Sequence, residues 1–100
     1  MQFTSLKANS MAIDVIVETT RNPDSVIFRV NKTLVPPGTG QAFPNAEMAR
    51  NNPLAAALFQ IQGIASLWII GSEVMVTKEE RTGWGRVKSR VVETLKNSLG

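Results

Sequence analysis

Residues Ile61–Lys78 constrain the fold of this 100-residue chain more than any other stretch. Leu67-Trp68-Ile69-Ile70 runs without a polar break, which predicts, within Ile64–Ile70, a strand with little exposure on either face and therefore central in a sheet. Gly71-Ser72 is a two-residue connection with Gly first, the chemistry of a type II′ hairpin turn. Glu73–Lys78 then alternates, with Val74 and Val76 on one face and Met75 and Thr77 on the other. Gly63 is the expected C-cap of a helix ending before the hairpin, since a left-handed residue is cheapest as Gly. A chain built around this hairpin needs helices to cover it.

Both covering helices are legible. Asn52-Pro53 pairs a capping side chain with Pro at the first helical position, where its missing N–H costs nothing. Leu54, Leu58 and Ile61 follow on one face, and Ala55, Ala56 and Ala57 allow close approach to a sheet. At the C-terminus, Trp84, Val87, Val91, Leu95 and Leu99 recur at spacings of three and four, with Thr82 the expected cap. Arg86, Arg90, Glu93 and Asn97 take the opposite face, and Lys88 breaks the pattern at the edge of the apolar stripe.

Earlier in the chain, Ile13–Glu18 and Ser25–Val30 read as strands joined by the turn residues Thr19–Asp24. Pro36-Pro37-Gly38 stops any strand at Leu34-Val35, and Gly40–Phe43 is a short extended candidate with Phe43 as anchor. Asn45–Arg50 reads as one helical turn capped by Asn45. The order β-β-(short α)-α-β-β-α implies an α+β fold, a small mostly antiparallel sheet with helices packed on one face. Residues 1–12 read as a polar lead-in and residues 13–100 as a single domain.

Composition narrows the chemistry. The chain has no Cys and no His, which removes disulfides, thiol catalysis and thiolate-held iron–sulfur clusters, along with the commonest general base and metal ligand. Its eight acids are scattered, so no metal and no cofactor is expected. No apolar run approaches the roughly 20 residues of a membrane span, so a cytoplasmic protein with no membrane partner is expected. Residues 1–77 balance five cations against five acids, whereas residues 78–100 carry six against three. The whole net charge of +3 therefore sits on the last segment.

Four segments carry a family resemblance. Thr20-Arg21-Asn22-Pro23 followed by Ser25-Val26-Ile27-Phe28 resembles a T-x-N-P turn and its strand. Pro53–Ile64 resembles P-L-A-x-x-L-F-x-I-x-G-V, and Gly71–Lys78 is similar to a G-x-D-F-I-T-V-T-K hairpin return. Trp84, Val87 and Lys88 resemble W-x-x-L-K. Together they resemble the N-terminal domain of Nfu/NifU-type iron–sulfur scaffold proteins over about residues 13–98. Arg21 stands where Pro is common, and Ser72-Glu73-Val74-Met75 departs from the Asp and Phe the family favours in the return strand.

In two-domain members of that family a second domain carries the Cys-x-x-Cys that holds the cluster, a motif these 100 residues lack. The resemblance implies a non-catalytic accessory module of iron–sulfur cluster assembly or delivery, binding no cluster itself and docking on a scaffold, carrier or client protein. The alternative is a general binding module that uses the basic C-terminal helix for an acidic protein or nucleic acid. Nucleic acid is disfavoured, because the basic face has no stacking aromatics. An enzyme is disfavoured, because no Lys, Asp, Glu or Ser pair has a telling spacing.

The candidate partner-binding residues are Asn22, Pro23, Lys88, Arg86 and Arg90. Each has a plain alternative. Asn22 and Pro23 have strong local reasons to form a turn that only sets hairpin geometry. Lys88 suits a snorkelling lysine whose stem packs on Trp84. Arg86 and Arg90 suit a solvated face. Trp68 and Trp84 are expected in the core rather than in a ligand pocket.

Overall fold

Alternating β-branched residues produce the first hairpin of the computed structural model, which describes residues 13–100. The expected 1–12 lead-in lies outside that range. Strands β1 (Val15–Thr19) and β2 (Ser25–Val30) pair antiparallel, with Val17 opposite Phe28 and Glu18 opposite Ile27. Gly40–Phe43 forms a short β3, so the extended candidate is a strand, anchored as expected by the buried Phe43. Strands β4 (Ile64–Ile70) and β5 (Glu73–Lys78) form the second hairpin. The five strands lie in the order β1-β2-β5-β4-β3, with every neighbouring pair antiparallel.

Helix α1 (Pro53–Phe59) begins as expected: the Asn52 side-chain oxygen accepts from Ala55 N at 3.0 Å, and Pro53 occupies the first turn. Helix α2 (Trp84–Leu99) buries Val87, Val91 and Leu95. These residues join Ala55 and Leu58 of α1 and the inward residues Val26, Phe28, Val30, Leu67, Ile69, Val74 and Val76 in one apolar core. Both helices cover the same sheet face, as the α+β pattern implies. Between β3 and α1 lies a single 3-10 turn, Glu47–Ala49, with Ala46 rather than Asn45 at its N-cap position, although the Asn45 side-chain oxygen, one residue earlier, accepts from Met48 N at 2.9 Å.

Four expectations are corrected. The middle strand is β5, not β4, and β4 has one open face. Trp68 is 40% exposed and Ile70 41% exposed on the side away from the helices, so Trp68 is not a core residue. Its ring lies over Gly40, where an added Cβ would stand 3.0 Å from Cζ2. A continuous apolar run cannot report which face is uncovered, because that depends on where the helices pack.

Gly63 is not the cap of α1. The helix ends at Phe59 with Gln60 still right-handed, and Gly63 (φ +101°) makes the later bend into β4. Thr82 gives α2 no side-chain cap; Gly83 is the capping residue, and Thr82 instead packs on Gly63. Leu34 and Val35 add no strand, although both amide groups donate to the Gly71 carbonyl, at 2.9 and 3.2 Å. The Gly71-Ser72 turn itself matches type II′, with Gly71 at φ +57° and no positive φ at any described non-glycine residue.

Candidate functional site

The loop between β1 and β2 is a tightly bonded turn. The Thr20 hydroxyl accepts from Asn22 N at 3.1 Å and lies 3.0 and 2.9 Å from the Asn22 and Ser25 carbonyls. Asn22 Oδ1 accepts from Asp24 N at 2.8 Å, the bond that makes Asn a turn former. Ser25 N closes the turn on the Asn22 carbonyl at 3.0 Å. The side chain of Asn22 is thus committed to its own loop, while Arg21, Asn22 and Pro23 remain exposed.

Two distant elements brace this turn. The Trp84 indole N–H, at the first turn of α2, donates to the Pro23 carbonyl at 2.8 Å. Lys78, the last residue of β5, donates its backbone N–H to the Asp24 carbonyl at 2.8 Å and places Nζ 2.7 Å from Asp24 Oδ1. The Lys78 side chain is only 8% exposed, so Asp24 neutralises a nearly buried charge. The Lys78 and Lys88 ammonium groups lie 5.9 and 6.0 Å from the Trp84 ring centroid, within cation–π range. Trp84 is half-buried at the rim of the core, with both cations over its ring.

Three of the five candidate residues, Asn22, Pro23 and Lys88, therefore gather with Trp84 at one corner. Arg86 and Arg90 do not. At about 100° per residue they project to the other flank of α2, where they line a groove with Gln60, Gln62 and Thr82. Lys78 is the residue sequence reasoning missed. Its signal was present: it continues the inward series Val74, Val76, Lys78 at the two-residue period of a strand, and a lysine there requires a buried counter-charge.

A second charge cluster lies on the open face of the sheet. Arg29 reaches Glu18 at 2.9 Å and Glu73 at 2.8 Å, and the Glu73 hydrogen bond, followed by the charge of Glu18, raises its pKa above the ordinary guanidinium value. All three side chains are partly exposed, so the cluster is a surface network rather than a poised site. Among the described residues no three His, Cys, Asp or Glu side chains are placed to hold a metal ion together.

The comparisons with known proteins match this architecture. The family described as "Scaffold protein Nfu/NifU N terminal" matches residues 15–100. The chain belongs to the Nfu/NifU N-terminal family. Among similar proteins is the NFU1 iron-sulfur cluster scaffold homolog, mitochondrial, of Drosophila grimshawi, 33% identical over 72 residues covering 72% of this chain and 24% of that protein. NifU-like protein 5, mitochondrial, of Arabidopsis thaliana is 34% identical over 71% of this chain and 26% of its own length. The chain thus spans about a quarter of the length of these curated relatives.

Among solved structures, a NifU-like protein from Saccharomyces cerevisiae superposes with a TM-score of 0.77 at 21% identity, covering 89% of this chain and 80% of that one. Protein SAV1430 from Staphylococcus aureus superposes at 0.71 with 14% identity, covering 82% and 98%. Both show the shared fold. Among the described residues no helix is long and apolar enough to cross a membrane.

Proposed function

We propose that this Nfu/NifU N-terminal domain is a non-catalytic protein-interaction module of iron–sulfur cluster assembly or delivery, and that it docks through the corner formed by Asn22, Pro23, Trp84 and Lys88. The observation that carries the reading is the bracing of an exposed turn by two distant elements, Trp84 on Pro23 and Lys78 on Asp24. A loop held rigid in its bound shape loses little entropy on association, which is how a small surface gains affinity. Family membership supplies the iron–sulfur context, and relatives named as cluster scaffolds support it.

The absence of Cys and His from these 100 residues favours a domain that contacts the proteins handling the cluster rather than the cluster itself. It also leaves no nucleophile–base pair, which favours a binding role over an enzymatic one. A cytoplasmic setting belongs to this reading as well, although the relatives carry mitochondrial names. The test is affinity capture from cell extract at low salt with crosslinking and mass spectrometry. Recovery of iron–sulfur assembly or client proteins, reduced by Pro23→Ala with Lys88→Glu, is the expected result. Recovery of none overturns the reading. A stoichiometric coloured complex after iron and sulfide reconstitution would overturn the claim that the domain holds no cluster.

A second reading has its own observation. Arg86 and Arg90 are exposed, have no carboxylate partner among the described residues, and flank the groove that α2 makes with Gln60 and Gln62. An acidic protein segment fits that flank, and Arg86→Glu with Arg90→Glu would abolish such binding. Unchanged mobility of short DNA and RNA at low salt removes the nucleic-acid version.

A further inference from the structure

The two edges of the sheet are guarded differently. Edge strand β3 has four residues and is hemmed by Pro36, Pro37 and Pro44, which supply no amide donor. Edge strand β1 has no such guard among the described residues. It pairs with β2 on one side and with nothing on the other among the described residues. Two of its three apolar residues are bare, one on each face: Ile16 is 57% exposed on the open face and Val17 is 40% exposed on the helix side, while Val15 packs partly against the core. The one acid within it, Glu18, is tied to Arg29. An unguarded edge of this kind is a template for an added strand.

The flank of α2 says what sort of strand. Arg86 and Arg90 face the α1 side, so Lys88, Val92 and Lys96, which follow at about 180°, 220° and 260° round the helix from them, turn towards the β1 side. Ser89, Glu93 and these three residues line a shallow groove of about 480 Å³. Neither lysine has a carboxylate partner among the described residues, and the groove carries two cations against Glu93. The helix runs antiparallel to β1: Trp84 meets Pro23 just past the end of β1, and the Leu99 carbonyl accepts from Lys32 just past the β2 residue paired with its start.

Spacing completes the match. Lys96 follows Lys88 by eight helical steps, a rise of about 12 Å. Same-face positions i and i+4 of a strand are about 13 Å apart. A strand laid on β1 with acids at i and i+4 meets both lysines, and its residue i+2 meets Val92 and Val17. We propose that β1 and the Lys88–Val92–Lys96 flank form a strand-addition site for an extended partner segment of the pattern acid-x-apolar-x-acid. This deepens the proposed interaction role and rests on it for the biological context.

The test uses the full chain and an acetylated, amidated heptapeptide with Glu-Thr-Val-Thr-Glu at its centre, read by amide NMR and hydrogen exchange. Binding should protect and shift the amides of residues 15–19. Lys88→Glu with Lys96→Glu should weaken it at least tenfold, as should Val17→Asp, and the double variant should gain affinity for the same peptide with Lys in place of Glu. That gain keeps the result interpretable whatever the substitutions cost in stability. Shifts confined to β3 or to the open face overturn the proposal. So does equal binding of the lysine peptide by the unaltered chain, tighter protection of β1 by a single-stranded RNA dodecamer, or a β1 edge that becomes free only when residues 1–12 are removed. Capture of iron–sulfur proteins unaffected by Val17→Asp sinks this site while sparing the proposed function. Peptide binding at β1 without any such capture does the reverse.

Discussion

The Trp84 indole N–H donates to the Pro23 carbonyl across 61 residues, at 2.8 Å. It joins the start of the last helix to the turn that joins the first two strands, and so connects two of the segments that carry the family resemblance. Replacing Trp84 with Phe keeps an aromatic body over Lys78 and Lys88 but removes the donor. Because the bond is exposed and the Pro23 carbonyl can be rehydrated, the cost in stability should be about 1 kcal/mol. The larger effect should be local, with faster hydrogen exchange at residues 20–25. Unchanged exchange there would show that the bond does not hold the loop.

Lys78 and Asp24 should behave as an unequal pair. Asp24→Ala strands a nearly buried ammonium and should cost about 3 kcal/mol in urea unfolding, the low end for breaking a buried pair, because Asp24 itself is partly exposed. Lys78→Met leaves a carboxylate that is 24% exposed, three times the exposure of the Lys78 side chain, and should cost less. The opposite ranking would mean that the charge on Lys78 is not what Asp24 stabilises.

The Arg29 network offers the contrast. Arg29→Met removes two ion pairs at once, yet all three side chains are partly exposed. A change of less than about 1 kcal/mol is expected. A cost matching that of Asp24→Ala would refute the distinction drawn between the two clusters.

Gly63 is constrained twice, by φ +101° and by Thr82, whose Cγ2 would stand 2.6 Å from an added Cβ. Gly63→Ala should therefore cost about 2 kcal/mol or more, since left-handed strain alone accounts for about 1–2. Adding Thr82→Ala should recover the steric share and leave the backbone share. Full recovery would mean that φ is relaxed at little cost.

In the core, Phe28 and Leu58 are both fully buried. Phe28→Ala should cost about 3–5 kcal/mol through lost burial and the cavity left behind, measured by thermal or urea unfolding. Trp68→Ala, on the open face, should cost much less. Similar losses would place Trp68 back in the core role expected from sequence alone.

Strands, helices and several local caps were legible because each depends on neighbours in sequence. Val74 and Val76 share a face by alternation, Asn52 caps by reaching three residues ahead, and Gly71 turns the hairpin by its own φ. Caps and faces set by distant elements were not. Thr82 looked like a cap because Thr often is one, yet Gly83 takes the cap position and the Thr82 side chain lies against Gly63. Trp68 looked buried because its neighbours are apolar, yet among the described residues no helix covers the face it occupies. The candidate site divided in the same way. Helical periodicity already separates Arg86 and Arg90 from Lys88, but which neighbours each meets, Trp84 and the Pro23 turn for Lys88 and the Gln60 flank for the arginines, needed the helix to be placed between α1 and β1.

By itself the sequence determined the α+β class, the elements, the family resemblance and the lack of thiol and imidazole chemistry. All of these follow from residue type and short-range spacing. The tertiary structure alone decided that β5 is central, that Lys78 is buried against Asp24, that Trp84 holds Pro23, and that β1 is an edge with one strand partner among the described residues. Each of these depends on which surfaces meet, and residues 24 and 78 or 23 and 84 become partners only after the sheet order has closed the loops between them.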